Sequence, residues 1–153
     1  MLYQNIDIIS NLGKSIDTEE IKELLRTFDL DKVKIKIKRD ENDVAIESEN
    51  YGVAFNFQRA DDKKIAEGVI ILSAMHAMAE GVQSHKEFKG DLPFSLKFDF
   101  TREKSKKTLG KPNWSSPMFP IDRWNKEGYQ IVVEFKDDRP DATVSSVVVQ
   151  LSR

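Results

Sequence analysis

Between Phe28 and Val33 the apolar residues of this chain change period, and that change limits the fold more than any other feature. Before it, Ile21, Leu24, Leu25 and Phe28 recur at i, i+3, i+4 and i+7, the stripe of an amphipathic helix. After it, Val33, Ile35 and Ile37 alternate with Lys32, Lys34, Lys36 and Lys38, which predicts a half-buried strand with one basic face. The alternating period then returns along the chain. Val44 and Ile46 open a short strand. Tyr51, Val53, Phe55 and Phe57 mark another, with a turn or bulge at Asn50-Tyr51-Gly52. Leu96, Phe98 and Phe100 alternate again. Two closing strands carry Tyr129, Ile131, Val133 and Phe135, then Val147, Val149 and Leu151. Polar stretches at 40–43 and 137–141 read as turns. Strands joined by turns rather than by helical crossovers point to an antiparallel sheet and an α+β fold.

Residues 61–80 admit two readings. Ile65, Val69, Leu72, Met75 and Met78 fit one face of a helix, whereas Val69-Ile70-Ile71-Leu72 after Gly68 reads as a buried strand. A glycine inside a helix costs about 1 kcal/mol against alanine, which favours a strand at 68–74 followed by a long connection over 75–90.

Helical signals cluster at the start and once later. Leu2, Ile6, Ile9 and Leu12 are spaced for a first helix that Gly13 would end. Asp17 and Glu20 resemble a capping box opening the second, so 14–17 would join a helical hairpin. Thr101 is a suitable N-cap for a helix over 102–109, closed by Gly110 and kept closed by Pro112. Residues 114–120 form a Pro-rich loop. The expected architecture is two N-terminal helices packed on a mainly antiparallel, meander-like sheet of about six strands, with one short helix at about 102–109. No repeat or linker interrupts residues 1–153, so one domain is expected.

Composition removes several function classes. The 153 residues include no cysteine, which excludes disulfides, thiolate metal sites and a cysteine nucleophile. A hydrophobic share of 39% with a net charge of -2 does not suit a wholly disordered chain. The start lacks the basic and apolar segments of a secretory signal, and no apolar run approaches the roughly 20 residues of a membrane span. The cytoplasm is the expected location. Charge is uneven: residues 1–50 hold 8 basic and 12 acidic side chains (net -4), 51–100 hold 6 and 7 (net -1), and 101–153 hold 10 and 7 (net +3). An acidic first half suits a basic partner.

Catalytic signatures are missing. His76 and His85 fall in the expected 75–90 connection with no HExxH and no carboxylate at a ligand spacing. Ser115-Ser116 has no elbow motif or nearby histidine, and neither phosphate-loop pattern occurs. The carboxylate pairs Glu19-Glu20, Asp40-Glu41, Asp61-Asp62 and Asp137-Asp138 sit in polar surroundings that give no reason for their pKa values to diverge. The lysines of 32–38 and the cluster Lys104, Lys106 and Lys107 lack interleaved aromatic residues for base stacking. Edge strands carry lysines to block pairing, so 32–38 is expected at a sheet edge.

One ordered set of motifs spans most of the chain. Leu12-Gly13-Lys14-Ser15-Ile16-Asp17 precedes a helix ending Leu24-Leu25, and a strand Tyr51-Gly52-Val53-Ala54-Phe55-Asn56-Phe57 follows. Then come Gly90-Asp91-Leu92-Pro93-Phe94-Ser95-Leu96-Lys97-Phe98, Thr101-Arg102-Glu103, Leu109-Gly110-Lys111-Pro112 and Asp122-Arg123-Trp124, before Tyr129-Gln130-Ile131-Val132-Val133-Glu134-Phe135. This order resembles small bacterial immunity proteins that accompany polymorphic toxins of contact-dependent inhibition and type VI secretion systems. The C-terminal half is also similar to the small lipoprotein of the outer-membrane barrel assembly machinery, although the cysteine that anchors such a lipoprotein has no counterpart here. The resemblance implies a protein-binding scaffold rather than an enzyme, with no cofactor and no metal. Its partner would be the C-terminal domain of a cognate toxin, with no direct contact to nucleic acid or membrane and no oligomeric state specified.

If that toxin is a basic nuclease, its inhibitor presents carboxylates in place of phosphates. Candidate acids are Asp40, Glu41, Asp43, Glu47 and Glu49 around the first hairpin, with Asp61 and Asp62. Candidate apolar anchors are Trp114, Met118 and Phe119 in the Pro-rich loop, since buried aromatic anchors concentrate binding energy. An envelope-assembly scaffold is the alternative. A small-ligand carrier with a pocket lined by Phe55, Phe57, Phe94 and Phe98 is a third reading.

Overall fold

The computed structural model describes residues 7–60 and 69–152. Helices α1 (Ile8–Asn11) and α2 (Glu19–Thr27) lead into strands β1 (Asp43–Ser48), β2 (Val53–Arg59) and β3 (Ile70–Met78). A connection with two short 3-10 turns then reaches helix α3 (Arg102–Leu109). Strands β4 (Trp114–Ser115), β5 (Ile121–Asn125), β6 (Tyr129–Phe135) and β7 (Val144–Leu151) complete the chain. All strand pairs are antiparallel, in one sheet ordered β1-β2-β3-β7-β6-β5-β4. Two meanders, β1 to β3 and β4 to β7, are thus zipped together by β3 against β7.

The alternating pattern explains the two faces of this sheet. Val44 and Ile46, Phe55 and Phe57, Met75 and Ala77, Val147 and Val149, Ile131 and Val133, and Trp124 share one face by register, and most of them are fully buried. The stripe Ile21, Leu24, Leu25 and Phe28 of α2 joins the same core, where Phe28 packs against the rings of Tyr51, Phe55 and Phe88. A large buried side chain contributes about 1.5–3 kcal/mol over its exposed state, so this layer dominates the stability of the fold.

Several expectations are corrected. Seven strands form rather than about six. The second helix is capped by Thr18, not by Asp17: its Oγ1 accepts from the Ile21 backbone N–H at 3.4 Å and donates to the Ser15 carbonyl at 2.7 Å. Within the described residues the first helix is a single turn, and Leu2 and Ile6 lie outside them. Residues 13–16 do not link a helical hairpin but run along β3. The Gly13 and Ile16 N–H groups bond to the carbonyls of Leu72 and Ile70, and Leu72 N–H bonds back to Lys14. This extends the cover of β3 past the last pair of the β3–β7 ladder, Ala74 with Gln150.

Strand β3 runs on to Met78, so Met75 to Met78 are strand and not connection; Ile65 and Gly68 lie outside the described residues. A shift in register between Asn56 and Phe57 lets Ser73 bond back to β2 and keeps Leu72 and Met75 both in the core. Leu96, Phe98 and Phe100 are not a strand either. A 3-10 turn at Pro93–Ser95 breaks the backbone, and the three side chains cover the core from a loop.

Residues 32–38 form no strand. Arg59 holds the carbonyls of Ile37 and Lys38 through Nη2 at 3.0 and 3.2 Å, and that of Glu41 through Nη1 at 2.6 Å. The segment lies outside the ladder, with Ile35 against the core and its lysines in solvent. The helix at Arg102–Leu109 is as expected, with Thr101 accepting from Lys104 N–H at 3.1 Å and Gly110 at φ +88°. No described helix is long and apolar enough to cross a membrane.

Candidate functional site

The motif order noted in the sequence becomes physical at α3. Its first residue, Arg102, reaches β5 and grips Asp122 through Nε at 2.9 Å and Nη2 at 2.7 Å. The carbonyl of Gly110, which ends the helix, accepts the Trp124 indole N–H at 2.9 Å. Both ends of α3 are thus pinned to one strand, and Thr101-Arg102-Glu103, Leu109-Gly110-Lys111-Pro112 and Asp122-Arg123-Trp124 meet in space. Asp122 is fully buried and also accepts from Ser115 Oγ on β4 at 2.6 Å. Burial pushes its pKa up. The hydrogen bonds from Arg102 and Ser115, with the charges of Arg102 and Lys106, outweigh that and hold the carboxyl below its ordinary value. Both carboxylate oxygens are occupied by these donors, so Asp122 ties the β4–β5 hairpin to α3.

That hairpin carries the candidate anchors. Ser116 Oγ accepts from the N–H groups of Met118 and Phe119 at 3.2 and 3.1 Å, folding the loop tightly. Ser116 N–H bonds to the Ile121 carbonyl at 2.9 Å, and Pro120 accepts from Phe135 N–H on β6 at 2.9 Å. The loop is therefore closed on itself and tied to the sheet, yet Met118 is 77% and Phe119 58% exposed. Trp114 remains 43% exposed, with the Arg123 guanidinium 5.3 Å from its ring centre. Because the loop backbone is already ordered, binding through these side chains would not add the cost of ordering the loop.

The acids lie elsewhere. Asp40 and Glu41 precede β1, Asp43 and Glu47 are on it, and Glu49 follows it; all five are exposed. Strand β1 is one edge of the sheet and β4 is the other, six strand spacings away, about 29 Å. Acids and aromatic anchors are thus not one patch. They are joined by one face. Register places Glu47, Ala54, His76, Val148, Val132, Arg123 and Trp114 in a single row across all seven strands, on the side opposite the core. The residues between the two ends of this row are half-buried. An acid stands at one end and a stacked arginine and tryptophan at the other. Asp61 and Asp62 lie outside the described residues.

One histidine lies in this row and the other beside its acidic end. His76 is in β3 rather than in a connection, between Ala54 and Val148, and burial lowers its pKa. His85 is buried, its Nδ1 3.0 Å from the Val82 carbonyl, which makes that nitrogen the proton carrier. Its Nε2 is 3.2 Å from the Glu47 carboxylate without hydrogen-bond alignment, which places the loop after β3 beside β1.

The four phenylalanines of the carrier reading are divided. Phe55 and Phe57 are sealed in the core, whereas Phe94 is at the surface under Lys126. Among the described residues no group of three His, Asp or Glu is close enough to hold a metal ion. Sequence reasoning missed strand β4, which takes Trp114 and Ser115 out of the loop expected at 114–120, strand β5 and the Arg102–Asp122 pair. The last two sat within the quoted motifs, but a pair 20 residues apart has no local period to betray it. Comparison with known proteins finds no matching family model, no similar curated protein and no similar solved structure.

Proposed function

We propose that this chain is an immunity protein that binds the C-terminal domain of a cognate secreted toxin in the cytoplasm and neutralises it by occlusion. The observation that carries the reading is the β4–β5 hairpin. Met118 and Phe119 are large, apolar and exposed, on a loop fixed by Ser116, Pro120 and the Asp122 cluster. Exposed apolar residues gathered on a rigid support favour a protein partner. The acidic edge supports a basic toxin such as a nuclease, because carboxylates there would steer it and oppose its phosphate-binding surface. No cofactor is needed for such inhibition. The test is to find a secreted protein whose gene adjoins this one and to co-express its C-terminal domain with this chain. Rescue of growth together with co-purification supports the proposal, and a toxic domain that is neither bound nor neutralised refutes it.

A further inference from the structure

The two edges of the sheet differ. Strand β4 is two residues long and offers little backbone to a newcomer. Strand β1 runs six residues, among the described residues pairs only with β2, and contains no proline or register shift. Edges are usually blocked by such devices or by charges pointing inward. In β1 the inward residues are Val44 and Ile46, and the charges of Asp43 and Glu47 point to the open face. A regular edge of this kind accepts an added strand: backbone bonds supply affinity and alternate side chains supply selectivity.

The chain itself displays the complement of this edge. If residues 39–42 formed a four-residue loop, Lys38 would oppose Asp43, Ile37 would oppose Val44, and Lys36 would oppose Ala45. Ile35 would then oppose Ile46, and Lys34 would oppose Glu47. Apolar residues would meet apolar ones and two lysines would meet acids, pairings that stabilise a ladder. That hairpin is not formed. Arg59 holds the carbonyls of Ile37, Lys38 and Glu41, and among the described residues no backbone N–H of 34–38 donates a hydrogen bond.

We propose that β1 is a docking edge for an extended segment of a partner protein in which apolar and basic residues alternate, and that Arg59 keeps the edge open by clipping the chain's own complementary segment. The identity of that partner as the toxin rests on the immunity reading. The occupant is basic because the outward charges of the edge are Asp43 and Glu47, and it is a polypeptide because an open strand edge is satisfied by another backbone.

The probe is a capped peptide with the sequence of residues 32–38, added to the full chain, beside the same peptide with every lysine replaced by glutamate. Affinity and hydrogen exchange of the β1 amides are followed together. The lysine peptide should bind saturably and slow the outward β1 amides at least about tenfold, whereas the glutamate peptide should not bind. Asp43→Lys and Glu47→Lys should each weaken the peptide at least about tenfold, Asp43→Lys at unchanged Tm; Glu47 also touches buried His85, so its variant is read by affinity alone. Arg59→Ala should release the clipped segment, so that β1 becomes protected without peptide and the peptide binds more weakly. Outward β1 amides already protected in the free wild-type chain would overturn the proposal. So would a concentration-dependent dimer that covers β1, or peptide binding that is absent or indifferent to both charge reversals. A toxin that binds the two reversal variants as tightly as wild type would remove the docking edge and leave the immunity reading intact. Failure of every toxin to bind would remove the immunity reading while the peptide result stands.

Discussion

Arg102 and Asp122 come from a helix and a strand 20 residues apart in the chain, yet they form two parallel hydrogen bonds of 2.9 and 2.7 Å around a fully buried carboxylate. Removing one partner of such a pair leaves an unmatched buried charge, which typically costs about 3–5 kcal/mol. Arg102→Ala should lose about that much in urea denaturation. The double replacement Arg102→Met with Asp122→Leu should cost less than Arg102→Ala alone, because no orphan charge remains. A double variant as unstable as the sum of its singles would show that the pair does not act as a unit.

The same carboxylate and His76 set the acid limb of stability. The folded pKa of Asp122 lies below its ordinary 3.8, so its contribution is complete above that value and is lost as pH falls through the folded pKa. His76 also titrates lower when folded than its ordinary 6.5, because burial disfavours the imidazolium. As pH falls below about 6.5 the unfolded chain takes up that proton first. Stability therefore declines from there until the folded pKa is passed. His76→Gln should flatten the profile just below about pH 6.5 and leave the fall below about pH 4 in place. Thermal unfolding across pH measures both; an unchanged slope in His76→Gln would contradict the assignment.

Gly52 turns the chain into β2 at φ +64°, where a Cβ would lie 2.6 Å from the Phe88 backbone nitrogen and would also collide with the Lys86 carbonyl. Left-handed strain adds to that overlap, so Gly52→Ala should cost roughly 2–6 kcal/mol. Gly110→Ala, with open space around it, should cost only the strain of its positive φ. Equal losses at the two positions, measured by urea denaturation, would mean that the close approach of residues 86–88 is unimportant.

The sequence was most readable where local chemistry and burial agreed. Alternation in Val53 to Phe57 and Ile131 to Phe135 announces strands because one face of each is the core. Thr101 and Gly110 announce the limits of α3 because a cap and a left-handed stop are local events. The pattern failed at 32–38, where a strand-like period yields no strand because Arg59 takes the carbonyls that a ladder would use. It failed again at Leu96, Phe98 and Phe100, whose alternation reflects three descents onto the core from a loop. The exposed anchors Trp114, Met118 and Phe119 were visible as residue types. Their separation from the acids of β1 was not, since it depends on strand order, which no local signal carries.

The most direct measurement is the affinity of the purified toxin C-terminal domain for the wild-type chain and for the double variant Met118→Ala/Phe119→Ala. Both side chains are exposed, so the variant should keep the wild-type Tm. If the hairpin supplies the anchors, its affinity should fall at least about 100-fold, the range expected for central apolar contacts. A domain that binds the double variant as tightly as wild type would contradict the assignment of the hairpin as the anchor of binding.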